Sequence, residues 1–265
     1  MARQKLGQHF LVRGSILERI ARAACPEREP LVVEIGPGRG SLTTHLLARA
    51  DRVVAVEIDP YLAQNLAQNL AQKLEQASSH DVNLEVVEAN ALQIDLGQWG
   101  PATITGNLPY YAATAILERV MALGPVVRRG VFLTQKEVAQ RITASPGSRD
   151  YGYLSTICQF YAHTKIAFRI PPGAFRPPPT VQSALVKMAL PGESTTLGIA
   201  APDKFFGFLQ MCFAQKRKTL RNNLLGASSD DRIHDALEKA GARNDARAEQ
   251  LSLSQFATIF KSISG

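Results

Sequence analysis

Cysteine is scarce and scattered. Cys25, Cys158 and Cys212 are the only three in 265 residues, and none stands in a C-x-x-C pair, which excludes both a disulfide framework and a thiolate zinc site. The five histidines show no ligand spacing either, so no metal is expected. Long apolar runs are also missing. One uncharged stretch extends from Leu96 to Leu117, but Pro101, Gly106, Asn107 and Pro109 break it, so it does not read as a membrane span. Met1-Ala2-Arg3-Gln4-Lys5 leads into no apolar signal core, and Glu18, Glu27 and Glu29 argue against a transit peptide. A protein of the reducing cytoplasm is expected.

Charge is abundant but unevenly placed. Thirty basic against 23 acidic side chains give +7, which points to a polyanionic partner without naming one. Residues 31–125 run against this trend, with five basic and ten acidic side chains. The flanking stretches are basic: six against three in 1–30, nine against three in 126–193, and ten against seven in 194–265. The acidic block suits a cationic or hydroxyl-rich small molecule better than a phosphate chain.

Short β-branched runs alternate with helical patterns as far as residue 190. Strands are predicted at 31–36, 53–57, 83–88, 102–106 and 130–134, with helices near 41–50, 60–77 and 112–123. This alternation implies right-handed crossovers and a mainly parallel sheet covered on both faces. Strand patterns at 165–170 and 184–190 have only a Pro-rich loop between them and read as an antiparallel hairpin at one sheet edge. Leu62, Leu66, Leu70 and Leu74 form a ridge on the 60–77 helix, read as an amphipathic face against the sheet. Pro191-Gly192-Glu193-Ser194 marks a boundary, giving a first domain at 1–192 and a small all-α domain at 193–265. Asp230 and Ser254 are the predicted caps of two helices in the second.

Three strand ends carry the chemistry. Glu34-Ile35-Gly36-Pro37-Gly38-Arg39-Gly40 takes a buried strand into a Gly-rich turn and a helix. A plain tight turn explains the glycines equally well, but Glu57 ends the next strand, where a carboxylate can accept both hydroxyls of a ribose. The spacing is G-x-G-x-G, not the dinucleotide G-x-G-x-x-G, so an adenosine-type cofactor without a pyrophosphate fits, a sulfonium best. Glu34 itself reads as an acceptor for backbone N–H groups. Asn90, at the tip of the third strand, can take a hydrogen bond from an adenine amine or simply form a turn. The fourth strand ends in Asn107-Leu108-Pro109-Tyr110. An exocyclic aromatic amine is a poor nucleophile because its lone pair is delocalised. An Asn carbonyl and the Leu108 backbone carbonyl can each accept one of its N–H bonds and localise that pair. Pro109 stiffens the turn, and Tyr110 offers a stacking face.

Gln8-His9-Phe10-Leu11, Glu34 to Gly38, Glu57, Asn107 to Tyr110, Phe175-Arg176-Pro177-Pro178-Pro179-Thr180-Val181-Gln182-Ser183 and the run from Gln215 to Leu224 occur in that order. In these the chain resembles the ribosomal RNA small-subunit adenine N6,N6-dimethyltransferase family, of the KsgA type. The resemblance implies a Rossmann-like class I methyltransferase sheet with a small helical domain, and S-adenosylmethionine as methyl donor. The implied partner is small-subunit (16S) ribosomal RNA, within the subunit or its precursor. Two adjacent adenines near its 3′ end would be dimethylated, in step with subunit assembly. It places His9 and Leu11 over the donor and Gly36 at its methionine part, with Gly38 in the same turn. It also puts Glu57 at the ribose, Asn90 at the adenine, Asn107 at the reacting centre and Phe175 against the target base. Where the family usually has Asn, Asp, a basic residue and Asp, this chain has His9, Asn90, Thr180 and Gln182. No general base, membrane or obligate protein partner is expected.

Lys216, Arg217, Lys218 and Arg221 put four positive charges in six positions, with no acid between them. On a helix they would share a face, read either as an RNA phosphate contact or as a solvated surface. A nicotinamide dehydrogenase is disfavoured by the glycine spacing. A DNA or large-subunit RNA adenine methyltransferase and a ribosome-assembly factor with secondary methylation remain as alternatives.

Overall fold

The computed structural model describes residues 9–76, 83–109 and 111–264, with the backbone alone for 70–76. It contains two compact units: Met1–Ala139 with Thr164–Leu190, and Gln140–His163 with Pro191–Gly265. This grouping is not linear in sequence, because residues 140–163 belong with the tail rather than with the sheet.

The first unit holds β1 (Phe10–Leu11), α1 (Gly14–Ala24), β2 (Val32–Ile35), α2 (Ser41–Leu47), β3 (Arg52–Glu57) and α3 (Pro60–Gln76). These are followed by β4 (Asn83–Glu88), β5 (Ala102–Asn107), α4 (Ala113–Ala122) and β6 (Val127–Gln135). Then come β7 (His163–Ile170), β8 (Phe175–Arg176) and β9 (Ser183–Ala189). The seven-stranded sheet has the order β4-β3-β2-β5-β6-β9-β7, and β1 and β8 form a separate two-stranded sheet. β2 pairs in parallel with both β3 and β5, and all four of its residues, Glu34 included, are buried, as befits a central strand. β9 turns the sheet antiparallel against β6, and β7 takes the edge beyond it, where the hairpin is predicted.

From β2 the chain winds outward to β3 and β4, then returns across β2 to β5. That reversal leaves a crevice above the carboxyl ends of β2 and β5, the place where open α/β sheets hold ligands. Helix α1, which carries none of the motifs above, buries Ile16, Leu17, Ile20, Ala21 and Ala24 in the core on one side of the sheet. On α3, of the leucine ridge Leu66 is buried and Leu62 half-buried, Ala63 is buried beside them, and the side chains of Leu70 and Leu74 lie outside the described residues.

After α5 (Lys136–Ile142), the second unit is built from α6 (Tyr153–Tyr161), α7 (Ser194–Leu197), α8 (Pro202–Phe213), α9 (Leu220–Leu224), α10 (Asp230–Lys239) and α11 (Leu253–Ser264). Its core is aromatic, with Phe160, Phe205, Phe208 and Phe256 all buried. Two caps differ from expectation by one or two residues. Ser229 is the N-cap of α10, with Asp230 already in the first turn. α11 is closed by a reciprocal box, in which Gln255 N–H donates to Ser252 Oγ at 3.3 Å and Ser252 N–H to Gln255 Oε1 at 3.0 Å. Ser254 therefore stands inside the helix.

Between β2 and β5 the backbones approach too closely for any side chain at Gly106. A Cβ there would stand 2.2 Å from the Ile35 carbonyl oxygen. Gly106→Ala must push two central strands apart, and a loss of about 3 kcal/mol, the upper end of overpacking costs, is expected in urea unfolding.

Candidate active site

The strand ends around the crevice border an open cavity, lined by residues that include His9, Leu11, Glu34, Gly36, Glu57 and Asn107. Gly36, Gly38 and Gly40 all have positive φ (67°, 57° and 76°), which is the conformational reason for the G-x-G-x-G spacing. Gly38 is constrained twice, since a Cβ there would also stand 2.9 Å from the Phe10 ring. Glu57 is 2% exposed, and its two oxygens accept the N–H groups of Gly38 and Asp59, each at 3.0 Å. Each carboxylate oxygen has a second lone pair, so the group can still receive a diol while it fastens the turn.

Glu34 behaves differently from the sequence reading. It is 1% exposed and its Oε2 has no hydrogen-bond partner, so it is not the acceptor of backbone N–H groups; Glu57 is. Burial pushes the Glu34 carboxyl up to about 7, against the opposing influence of the Thr43 hydroxyl and with a further push from the charge of Glu57. A buried carboxyl with one unpartnered oxygen, lining a cavity, fits a ligand that brings a positive centre or a donor.

Asn107 closes β5. Its Nδ2 donates to the His9 carbonyl at 3.0 Å, which turns Oδ1 away from that carbonyl. His9 Nδ1 in turn donates to the Pro177 carbonyl at 2.8 Å, and Val12 N–H to Ala174 O at 2.9 Å. With the ladder Phe10↔Arg176 and Leu11↔Phe175, these bonds fix the N-terminal strand across one side of the cavity. That pairing was not foreseen from the sequence, because two-residue strands have no periodicity to detect. Leu108 is buried, its N–H donates to Leu133 O at 3.0 Å, and it lines the cavity with Pro109 and the 68% exposed Tyr111. Tyr110 lies outside the described residues.

Other expected site residues fall elsewhere. Phe175 is 1% exposed and sits in the core cluster that includes Leu11, Ile170 and Leu185, so its ring offers no face to an incoming base; it anchors β8 beneath β1. Asn90 is two residues beyond the Glu57↔Glu88 pair, and its Oδ1 accepts the Leu92 N–H at 2.9 Å, the turn-forming role. It is not among the residues that line the cavity.

In the second unit, Lys216, Arg217 and Lys218 form a turn rather than a helix face, because α9 starts only at Leu220 behind its cap Thr219. Thr219 accepts the Asn222 N–H at 3.3 Å. Arg221 is bound through two nitrogens to Asp230, an acid that adjacency in sequence does not show. Three of the four charges are left to face other partners. No group of three or more His, Cys, Asp or Glu that could hold a metal occurs among the described residues, and no described helix is long and apolar enough to cross a membrane.

Comparison with known proteins agrees with this geometry. The chain matches the family described as "Ribosomal RNA adenine dimethylase" over residues 1–264. It is 42% identical over 257 residues to "Ribosomal RNA small subunit methyltransferase A" of Kineococcus radiotolerans, covering 96% of this chain and 83% of that one. It is 38% identical over 264 residues to the protein of that name from Acidobacterium capsulatum, covering 98% and 90%. Among solved structures it resembles a dimethyladenosine transferase from Plasmodium falciparum, with a TM-score of 0.79 and 26% identity over 95% of this chain and 96% of that one. It also resembles the 23S rRNA methyltransferase ErmE, with a TM-score of 0.72 and 27% identity over 97% and 100%. The fold is that of the class I methyltransferases.

The Glu34 carboxyl carries a prediction on stability. Its value in the folded protein lies above that of the unfolded chain, so the folded state binds the proton more tightly. The stabilising contribution is whole below the ordinary value of 4.5 and is lost as pH rises through about 7. Glu34→Gln should flatten this part of the profile. The thermal midpoint of the variant, compared with that of the parent, should rise by several degrees on going from about pH 5 to about pH 8. An unchanged difference across that range would show that Glu34 does not titrate there.

Proposed function

The chain belongs to the ribosomal RNA adenine dimethylase family, and from that premise we propose that it dimethylates N6 of two adjacent adenines near the 3′ end of small-subunit ribosomal RNA, using S-adenosylmethionine. The observation that carries the reading is the Asn107 carboxamide, held by one of its N–H bonds at a cavity lined by two buried carboxylates. The RNA is met within the small subunit or its precursor, in the cytoplasm.

The cavity fits such a donor. Glu57 keeps lone pairs for a ribose diol, Gly36 brings bare backbone to the cavity wall, and His9 and Leu11 line the same cavity. The carboxyl group of Glu34 complements a positive centre. Asn90 stands at the same sheet end, and beside the Leu92 N–H its Oδ1 keeps a second lone pair for the adenine amine. When bound, the donor supplies an electrophilic methyl group. The protein's part is to prepare the nitrogen. Asn107 Oδ1 and the Leu108 carbonyl accept its two hydrogens and turn its lone pair toward the donor side. Water takes the proton afterwards, so no side-chain base is needed, and catalysis is chiefly a matter of alignment. Lys216, Arg217 and Lys218 supply RNA phosphate contacts.

The deciding experiment incubates the protein with labelled S-adenosylmethionine and unmethylated small subunits, followed by nucleoside analysis. Dimethyladenosine is the expected product, and its absence would overturn the reading. Asn107→Ala should lose nearly all methyl transfer while RNA retention in filter binding stays within a few-fold; a variant with near-parental turnover would remove the two-acceptor mechanism. Asn90→Ala should weaken donor binding by about 1 kcal/mol in calorimetry, one hydrogen bond's worth, and Asn90→Asp should restore it.

A further inference from the structure

We infer that Arg39, at the edge of the donor cavity, and Arg176, beside Phe10 on the neighbouring strand, form a phosphate clamp. The clamp holds the backbone of the nucleotide whose base enters. This rests on the reading of the substrate as RNA and adds a site to it. The placement comes first. Phe10 pairs with Arg176 in the β1–β8 ladder, and the Arg39 guanidinium lies 4.7 Å over the centre of the Phe10 ring. The ring is itself confined by the Gly38 backbone, so the cation above it has a fixed seat. Arg39 also lines the cavity.

The two cations are available. A guanidinium stacked on an aromatic ring uses its flat face and leaves its in-plane N–H groups for a planar or tetrahedral oxyanion. Both arginines are exposed, and among the described residues no carboxylate pairs with either. Arg176 spends one N–H on the neighbouring Phe175 carbonyl at 3.1 Å and keeps the others. Other arginines of the same unit, such as Arg49 with Glu18 and Arg52 with Glu85, are held by acids.

Charge inside the cavity supplies the reason for a clamp outside. Glu34 and Glu57 are both buried against the cavity, so a phosphate that followed its base inward would meet two acidic groups in a poorly solvated space. A neutral base can enter; its phosphodiester has to stop at the edge. The two guanidinium groups give that anion bidentate, charge-assisted partners. They also set how far the base reaches.

The test combines filter binding of a short adenine-containing single-stranded RNA with turnover on unmethylated small subunits, both across a salt series. The variant is Arg39→Gln with Arg176→Gln. Its RNA affinity should fall about ten-fold or more, as expected for lost charged hydrogen bonds. The slope of log affinity against log salt should shrink by about 1.4, at about 0.7 per lost phosphate contact on a single strand. In turnover the loss should fall on KM rather than kcat. Arg39→Lys with Arg176→Lys keeps both charges and should keep most of the slope while losing part of the affinity, and it decides the matter if circular dichroism shows that the Gln pair has not folded. An unchanged slope and affinity in a folded Gln variant would overturn the clamp. A parent protein that binds the RNA through these arginines but makes no dimethyladenosine would leave the clamp standing and overturn the proposed reaction instead.

Discussion

Glu57 fastens the ligand-binding end of the sheet. Its carboxylate sits at the tip of β3 and accepts the N–H groups of Gly38 and Asp59, one from the Gly-rich turn and one from the start of the next connection. The turn has three residues with positive φ, and beside the backbone bonds from Gly36 to Val56 and from Gly40 to Pro37, the bond to Glu57 is the side-chain contact that fixes Gly38. With it, Gly38 is fixed against the Phe10 ring, Phe10 supports Arg39, and β1 is brought alongside β8. One buried acid thus organises a path from the sheet interior to the cavity lip.

The same region sorts charge by depth. Glu34 and Glu57 are buried against the cavity, while Arg39, which lines the same cavity, is exposed. The basic balance of the whole chain, read from composition, blurs this arrangement, although both acids already fall in the acidic block at 31–125. A cationic small molecule and a polyanion can use one opening because they stop at different depths.

Much of this was legible from the residues, where a local pattern dictated a local structure. β-Branched runs gave the central strands, and Gly36, Glu57 and Asn107 stand at strand ends because strand ends are where such patterns stop. What escaped notice depends on partners distant in sequence. The β1–β8 ladder joins two dipeptides, too short for any period. Phe175 looked like an exposed ring in a Pro-rich loop, yet the loop folds it inward. Arg221 looked like one of four free cations until α10 brought Asp230 to it, and Thr219, by capping α9, kept the preceding lysines off the helix. The turn role of Asn90 was weighed from the start and is the contact it makes.

The bond from Asn107 to residue 9 has an evolutionary side. The acceptor is a main-chain carbonyl, which no point substitution at that position deletes. The orientation of the carboxamide is therefore indifferent to which side chain residue 9 carries, and His can stand where relatives of the resembled family usually carry Asn. What the side chain does alter is the grip on the Pro177 carbonyl. A change of side chain at position 9 would alter how firmly it holds the neighbouring loop and leave the acceptor of the Asn107 amide in place.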